Sequence, residues 1–291
     1  MTEFVLILVA GIVNGATFVM IALGFVIIFR ATKVLSLAQG QFLALAAYLL
    51  FSVSQDLHLN VFLSIVIGEG AMCVVGFLAY RVAIQRLAGT DVIRASLATL
   101  GISYIGTSAI LLAWGSSSYS LTVLPGANSR FKVGIVRFTG LDIELVVAAA
   151  AIYTAALLWS RYSRQGLALR AASESPVLAS QVGMNPFRIF AVAWIVGAAA
   201  AGLGGIALGE IGSVSPSIET FGLLALAPAL LGGFDSIAGV AIGGVGVGLL
   251  QALVSVLVGG QAATAAVFGV ILVVILLRPQ GILGSKDIAR V

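Results

Sequence analysis

The residue types that most often carry catalysis or bind metals are scarce in this chain. Its 291 residues include one histidine, His58, and one cysteine, Cys73. A zinc site takes several of its ligands from such residues, and neither a ligand cluster nor a serine–histidine–aspartate arrangement can be built around these two. None of the three lysines follows a glycine, as the phosphate-binding loop Gly-x4-Gly-Lys-Ser/Thr requires. We therefore predict a non-catalytic chain that holds no metal or cofactor and does not itself bind ATP through such a loop.

Uncharged polar residues recur instead within apolar stretches. Ser96, Thr99 and Ser103 are spaced by three and four residues, and Thr107 continues the pattern, so that they share one face of a helix. That face either lines a path for a polar solute or pairs with neighbouring helices through hydrogen bonds worth about 0.6 kcal/mol each. The full set of candidates for the path is Asn14, Thr17, Gln39, Gln41, Glu69, Ser96, Thr99 and Ser103.

Ionisable groups inside the apolar stretches are few. Glu69 lies near the middle of one stretch, where a carboxylate in lipid is expensive unless it is paired, protonated or facing water. It serves either the path or a hydrogen bond between helices. Glu210 lies at the end of another stretch, and we expect it to be solvated. A proton-coupled secondary transporter would be expected to carry a longer relay of such groups.

The composition requires a membrane. Hydrophobic residues make up 60% of the chain and charged residues 9%, whereas an ordinary soluble domain is about 25% charged. Because the apolar runs are continuous and show no alternation, the spans are predicted to be helices. The first run has no basic segment before it and reads as a retained helix, not a cleaved signal peptide.

These runs predict an all-α polytopic membrane bundle of eight or nine segments, forming one domain over residues 1–291. The predicted spans are Phe4–Phe29, Ser36–Val53, Val61–Tyr80, Ala95–Trp114, Asp142–Ser160, Ile189–Gly209, Thr220–Leu231, Ile237–Val258 and Ala262–Leu277. The seventh is short for a bilayer, which needs about 20 residues. Pro228 also interrupts it, so we expect a broken or re-entrant helix there.

Lysine and arginine set the orientation. With the loop around residues 163–187 placed inside, only Arg130, Lys132 and Arg137 of the 15 basic residues fall outside. The other 12 fall inside: Arg30, Lys33, Arg81, Arg86, Arg94, Arg161, Arg164, Arg170, Arg188, Arg278, Lys286 and Arg290. The N-terminus is then predicted outside and the C-terminus in the cytoplasm.

Two connecting segments have patterns of their own. In the external loop, at about residues 115–141, Phe131–Phe138 alternates in polarity and follows a Pro125-Gly126 turn signal, so a small extracytoplasmic β-hairpin is predicted. It either caps the bundle or touches an external partner. In the cytoplasmic loop, Pro176 suits the first turn of a helix and Gly183 suits a helix end. One or two short amphipathic helices are expected there, as a plain surface loop or as a docking element for a cytoplasmic partner.

Glycines four residues apart crowd the last third of the chain. They include Gly205 with Gly209, and Gly244 with Gly248; Gly239 and Gly243 are spaced in the same way. Such pairs let helix backbones approach closely in lipid. We expect tight helix packing at these positions, with movement of the helices past one another as the functional alternative.

Four stretches, in order, resemble the membrane-spanning permeases of bacterial ABC importers of the branched-chain amino acid (LivH-type) group. They are Asn14–Gly24 continuing to Leu37-Ala-Gln-Gly-Gln41, then Gly166–Asn185, Leu224–Gly239, and Arg278-Pro-Gln-Gly-Ile-Leu-Gly284. The resemblance covers nearly the whole chain. It implies that the second stretch is a coupling helix that fits a groove on an ATPase subunit. The residues at family-like positions in that stretch are Arg170, Ala171, Glu174, Ala179, Gly183 and Asn185.

The resemblance also implies partners and a mechanism. Such permeases work in the bacterial inner membrane with a second, LivM-like permease, two LivG- and LivF-like ATPase subunits that carry ATP and Mg, and an external solute-binding protein. Lipid surrounds the chain, and no nucleic acid is involved. ATP closes the ATPase pair, the coupling helices move with it, and the bundle opens to the other side by alternating access.

Gln39 departs from the family pattern. Amino acid importers of this group often have histidine in the position that Gln39 occupies within Leu37-Ala-Gln-Gly40. The solute is therefore left open between a branched-chain amino acid and a related amide, urea or organic acid. The competing hypothesis is a secondary transporter or channel for a small polar solute that acts without an ATPase. A membrane anchor for an enzyme is disfavoured because no soluble domain is present.

Overall fold

The computed structural model describes residues 2–87, 92–133 and 136–284, which fold mainly into α-helices. In order these are α1 (Thr2–Thr32), α2 (Gln39–Phe51), α3 (Val61–Ala79), α4 (Gln85–Leu87), α5 (Val92–Trp114), α6 (Gly140–Tyr162), α7 (Arg164–Glu174), α8 (Pro176–Gln181), α9 (Pro186–Ile211), α10 (Glu219–Leu224), α11 (Leu226–Gly232), α12 (Ile237–Leu257) and α13 (Gly260–Leu277). π-Helical turns at Ser52–Asp56 and Tyr80–Ile84 prolong α2 and join α3 to α4.

Seven of the described helices are long and apolar enough to cross a membrane. They are Phe4–Thr32, Val61–Leu87, Val92–Trp114, Gly140–Tyr162, Pro186–Ile211, Ile237–Leu257 and Gly260–Leu277. Each matches one of the predicted spans. The other two predicted spans correspond to shorter elements, namely α2 and the pair α10–α11. The chain is therefore a multi-pass helical membrane protein with two shorter apolar elements inside the bundle.

The predicted close packing at glycines is confirmed where α1 meets α12. A side chain added to Gly244 would strike Val19, and one added to Gly248 would strike the backbone of Gly15. Where α1 meets α9, the side chain of Ile28 packs directly on Gly197, so that a Cβ added to Gly197 would collide with it. Since lipid supplies no hydrophobic driving force between helices, such close backbone approach provides the contact that holds them.

The pair α10–α11 is a broken helix, as expected, and the break lies one turn before Pro228. α10 ends at Leu224, α11 begins at Leu226, and Ala225 joins them. Because proline has no N–H, Pro228 cannot donate to the carbonyl of Leu224, four residues earlier, and a continuous helix is interrupted there. Pro228 lies in the first turn of α11, where an N–H would have had no helical partner anyway.

The loop between α5 and α6 carries the described strands, β1 (Arg130–Val133) and β2 (Val136–Thr139), which pair antiparallel. Gly134 and Ile135, within the predicted hairpin, lie outside the described residues. The same holds for two of the cations counted for topology, Lys286 and Arg290.

The expectation that Glu210 is solvated is wrong. Its side chain is buried at the end of α9, with 7% of its surface exposed. One carboxylate oxygen accepts hydrogen bonds from the backbone N–H of Val123, at 2.8 Å, and of Leu124, at 3.2 Å. Nearby, Tyr119 forms a β-bridge with Val214. Glu210 therefore fastens the loop after α5 onto the bundle, which sequence spacing could not show.

Candidate translocation path and coupling segment

Two of the eight predicted path residues line a cavity of about 360 Å³, here called cavity A. α1 contributes Asn14 and Thr17, and α12 contributes Gln251. The segment between α9 and α10 adds serine side chains, of which Ser213 and Ser217 are exposed. Apolar walls complete it: Phe18, Ile21, Leu208, Ile211, Ile218 and Phe221. Cavity A thus presents a few polar groups in an apolar setting, which is the usual character of a site for a small solute.

A smaller cavity of about 190 Å³, cavity B, lies on another side of the same region. It is lined by Ser103 and Thr107 of α5 and by Glu219 at the start of α10. The Glu219 carboxylate accepts hydrogen bonds from the Gln41 amide nitrogen and, at 3.3 Å, from the Thr107 hydroxyl. The Gln41 nitrogen also donates to Thr107 at 2.6 Å. Three elements are tied together by this network: α2, α5 and α10.

Helix α10 separates the two cavities. Ile218, directly before it, and Phe221 face cavity A, whereas Glu219 and Gly222 face cavity B. Gly222 also sits directly against the backbone of Gly40, so no side chain fits between α10 and the start of α2. The ends of two interrupted helices therefore meet inside the bundle. Discontinuous helices of this kind mark the binding sites of many transporters.

Two predicted path residues hold the chain where it enters α2. The hydroxyl of Ser96 accepts a hydrogen bond from the N–H of Leu35 at 3.2 Å, and that of Thr99 accepts one from Leu37 at 2.8 Å. Thr99 is fully buried. These contacts satisfy backbone donors in the extended stretch before α2, which has no helical partner for them. For Ser96 and Thr99, the polar face of α5 therefore serves hydrogen bonding between segments, which was the second of the two alternatives predicted for it.

Gln39 and Glu69 lie away from the two cavities' linings. Gln39 is fully buried next to Gly24, where α1 crosses α9, and its two amide atoms have no hydrogen-bond partner among the described residues. Glu69 packs against α9: a Cβ on Gly202 would lie 2.8 Å from one of its carboxylate oxygens and 3.2 Å from the other. Both oxygens are buried without a partner in the described part of the chain. Glu69 therefore lies at the contact between α3 and α9.

The segment between α6 and α9 folds as the sequence predicted, into two short helices. Each start has a side-chain cap: Ser163 accepts from the N–H of Gly166 at 2.9 Å, and Ser175 accepts from that of Leu178 at 3.3 Å. Gly183 ends the segment with φ of +81°, a conformation that favours glycine. Asn185 then caps α9 through the N–H of Arg188.

The two faces of this segment differ sharply. Leu169, Ala172 and Ala179 are buried against the bundle. Val177, Leu178 and Val182 are between 62% and 72% exposed, and Ala171 and Glu174 are exposed beside them. Ala179 therefore supports the segment from within, and a partner can reach only its neighbours. We call residues 164–185 the coupling segment below.

Sequence reasoning missed three contributors to this region: Glu219, Gln251 as a wall of cavity A, and the serines at 213–217. Glu219 lies one residue outside the predicted span Thr220–Leu231, and no local pattern marks it. Gln251 lies within a predicted span, but nothing local links it to Asn14. Among the described residues, no three His, Cys, Asp or Glu side chains lie close enough to hold a metal.

Comparison with known proteins identifies the family. The family model described as "Branched-chain amino acid transport system / permease component" matches residues 7–276. The chain is 29% identical over 296 residues to the high-affinity branched-chain amino acid transport system permease protein LivH of Escherichia coli K12, covering 97% of this chain and 96% of the relative. BraD of Pseudomonas aeruginosa, another such permease, is 29% identical over 301 residues, with 98% and 97% covered.

More distant proteins resemble the chain as well. A probable LivH of Methanocaldococcus jannaschii is 25% identical, with 96% of this chain and 92% of the relative covered. The solved structure "PsaBC from Streptococcus pneumoniae in complex with Fab" superposes with a TM-score of 0.50 at 14% identity, covering 93% of this chain and 91% of that one, so it shows a shared fold. The chain therefore belongs to the family of permease components of branched-chain amino acid transport systems, and it is a non-catalytic membrane subunit of an ABC importer.

Proposed function

We propose that cavity A is this chain's part of the translocation path and that the solute is a branched-chain amino acid. The observation that carries the proposal is the combination within cavity A of amide and hydroxyl groups with aliphatic and aromatic walls. Asn14, Thr17 and Gln251 supply donors and acceptors for an ammonium and a carboxylate group. Ile21 and Leu208 suit a branched aliphatic side chain. The volume of about 360 Å³ falls within the roughly 300 to 1,000 Å³ usual for small-molecule sites.

The curated relatives support the choice of solute, because their names specify branched-chain amino acids. The departure at Gln39 does not alter cavity A, since Gln39 is buried beside Gly24 and is not among the residues that line it. Urea and short amides would leave the apolar walls of cavity A unused. A leucine-like solute uses both the polar and the apolar groups.

Helix α10 is the gate in this proposal. It stands between cavities A and B, it belongs to a broken helix, and Glu219 holds it to α2 and α5 through hydrogen bonds. A short helix joined by a single residue to the next one can turn with small changes at Ala225. Alternating access would then combine a shift of α10 with release of the Glu219 contacts.

The coupling segment is the proposed receiver of ATP-driven motion. Its exposed apolar residues Val177, Leu178 and Val182 would enter a groove on an ATPase subunit, with Glu174, Arg170 and Ala171 beside them. Gly183 and Asn185 give the chain its turn into α9, and α9 packs along α1, α2 and α3. Motion of the segment therefore has a direct mechanical route to the helices around cavity A.

The remaining parts of the proposal concern the assembly. The chain would pair with a second related permease, two ATPase subunits and an external solute-binding protein, in the inner membrane of a bacterium. Its coupling segment would face the cytoplasm and its hairpin the outside, as the distribution of arginine and lysine predicts. The N-terminus would then be outside and the C-terminus inside.

The test is uptake of radiolabelled leucine into proteoliposomes that contain the chain, its partner subunits and the binding protein. Asn14→Leu and Gln251→Leu each remove a polar group from cavity A, and each is expected to lower ATP-driven uptake at least tenfold, since a group that pairs a buried charge is worth about 1.5 to 3 kcal/mol. Gln261→Leu is the matched control, because Gln261 is exposed at the start of α13. Equal uptake by all three variants would show that the path lies elsewhere, and uptake without ATP or ATPase subunits would favour a secondary transporter.

A further inference from the structure

A third cavity, cavity C, lies at one end of the bundle and has an unusual balance of charge. It measures about 240 Å³ and is lined by three arginines, Arg30 of α1, Arg161 of α6 and Arg170 of α7, but by only one carboxylate, Asp235. That carboxylate already forms an ion pair with Lys33 at 2.7 Å. Like charges held close together in a partly buried place repel one another, so an added anion would be bound favourably.

Two of the three arginines, Arg30 and Arg170, are held in place by hydrogen bonds, whereas the Arg161 side chain is exposed. One guanidinium nitrogen of Arg30 donates to the Ser160 hydroxyl at 3.0 Å. One of Arg170 donates to the carbonyl of Arg161 at 3.2 Å, while its Nε is buried without a hydrogen-bond partner in the described residues. The three side chains therefore keep further N–H groups for a ligand, since each guanidinium carries five.

The start of α12 adds to the same attraction. Ser236 and Ile237, its cap and first residue, line cavity C. The N-terminus of a helix of 21 residues carries a partial positive charge and free N–H groups that favour phosphate and carboxylate ligands. Arginine is the side chain best suited to phosphate, because its planar fork can donate two parallel hydrogen bonds.

The position of cavity C indicates where the anion comes from. Arg30 lies two residues before the end of α1, Arg161 lies one residue before the end of α6, and Ile237 begins α12. Each of these helices is long and apolar enough to cross a membrane, so their ends lie at the level of lipid headgroups. On α6, Leu158 lies within one turn of Arg161, is half exposed and provides an apolar surface for the start of an acyl chain.

We infer that cavity C binds the phosphate of an anionic phospholipid, bridging Arg30 and Arg161 to Arg170 of the coupling segment. The occupied site would add a charged link between three elements that already pack together through Ile27, Leu169 and Trp159: α1, α7 and α6. Because Arg170 belongs to the coupling segment, bound lipid would stiffen the junction between that segment and the bundle. The inference depends on cavity C and is independent of which solute uses cavity A.

The experiment measures lipid binding to the intact chain, purified with its partner subunits and stripped of lipid, by native mass spectrometry. Phosphatidylglycerol is titrated against phosphatidylcholine with the same acyl chains. Arg161→Gln and Arg170→Gln are each expected to weaken phosphatidylglycerol binding about fivefold, which corresponds to the roughly 1 kcal/mol that a basic residue contributes at an anionic surface. Arg86→Gln, an exposed arginine of α4 outside cavity C, is the control and is expected to bind as the unmodified chain does.

Each outcome decides the question. Weaker binding in both cavity variants but not in Arg86→Gln supports the site. Unchanged binding in the cavity variants, or the same loss in Arg86→Gln, overturns it. Displacement of phosphatidylglycerol by equimolar inorganic phosphate would show that a free anion occupies cavity C and would overturn the lipid assignment. The readout involves neither ATP nor leucine, so failure of the transport proposal would leave it unaffected.

Discussion

Gly183 lies just before α9 and Gly205 lies within it, and the two glycines have opposite surroundings. Gly205, within α9, packs directly against the backbone of Leu43 in α2. A Cβ at this position would collide with the carbonyl oxygen of Leu43. Gly183, just before α9, has no atom near the place a Cβ would occupy, but its φ of +81° is one that other residues rarely adopt. One glycine is required by space and the other by backbone conformation.

The same contrast extends to the regions that contain them. In the packed centre, α1, α2, α9 and α12 meet backbone to backbone, and buried residues are continuous along them. In the coupling segment, 13 of the 22 residues are exposed, and its helices have about three turns (α7) and two turns (α8). In the proposed coupling role, a segment that receives motion from a partner has to be displaced more easily than the bundle that it moves.

The largest expected effect is at the packed centre. In Gly205→Ala, the new methyl group must displace α2 or α9, and the loss of stability is expected to be at the upper end of the roughly 1 to 3 kcal/mol usual for overpacking. Thermal unfolding of the detergent-solubilised chain, followed by size-exclusion chromatography, measures it. Gly269→Ala in α13, where a Cβ would meet nothing within 4 Å, is the control. An unchanged unfolding temperature for Gly205→Ala would mean that α2 is not seated firmly on α9.

A smaller effect is expected where the packed centre is held by a polar contact. Thr99→Val keeps the shape of the side chain but leaves the N–H of Leu37 without its acceptor. An unpaired buried donor costs about 1 to 3 kcal/mol, so the unfolding temperature should fall and leucine uptake should slow as α2 loosens. Thr154→Val on α6 is the matched control, because the Thr154 hydroxyl is exposed and bonds only within its own helix. Identical behaviour of the two variants would contradict the role assigned to Thr99.

The contrast also explains what could be predicted from sequence. Seven of the predicted spans, the short helices expected around Pro176 and before Gly183, and the glycine packing all depend on local pattern, and the structure contains them. The break at Ala225 lies one turn before Pro228, where a proline disrupts a helix, but the close packing of Gly222 in α10 on Gly40 has no counterpart in the local sequence. Local signals do not report a contact between segments far apart in the chain.

The candidate site depends on such distant contacts. Asn14 and Thr17 were both predicted as path residues, but only the fold brings Gln251 and the serines at 213–217 beside them. The hydrogen-bond partners of Glu219 likewise come from helices far away in the sequence, Gln41 from α2 and Thr107 from α5. Glu210 looked like a surface residue because it ends a span, yet a loop from residues 123–124 covers it.

The smallest expected change in stability, and the most specific one, is at Gly183. In Gly183→Ala the methyl group meets no neighbour, so the substitution acts only through the backbone, where a left-handed conformation costs an L-residue about 1 to 2 kcal/mol. Because the strain can be relieved in the exposed segment outside the packed centre, the bundle should unfold only slightly below the unmodified temperature. The turn into α9 is expected to shift, and ATP hydrolysis by the assembled importer should lose its coupling to leucine uptake.

Gly183→Asn separates conformation from mere substitution, because asparagine tolerates this region of backbone space better than other side chains do. It should recover part of the coupling that Gly183→Ala loses, although its side chain is larger. The ratio of leucine transported to ATP hydrolysed, measured in proteoliposomes, gives the comparison. If alanine and asparagine reduce that ratio equally, the positive φ is not what position 183 supplies, and the coupling segment would have to act through its exposed residues Glu174, Val177 and Leu178 alone.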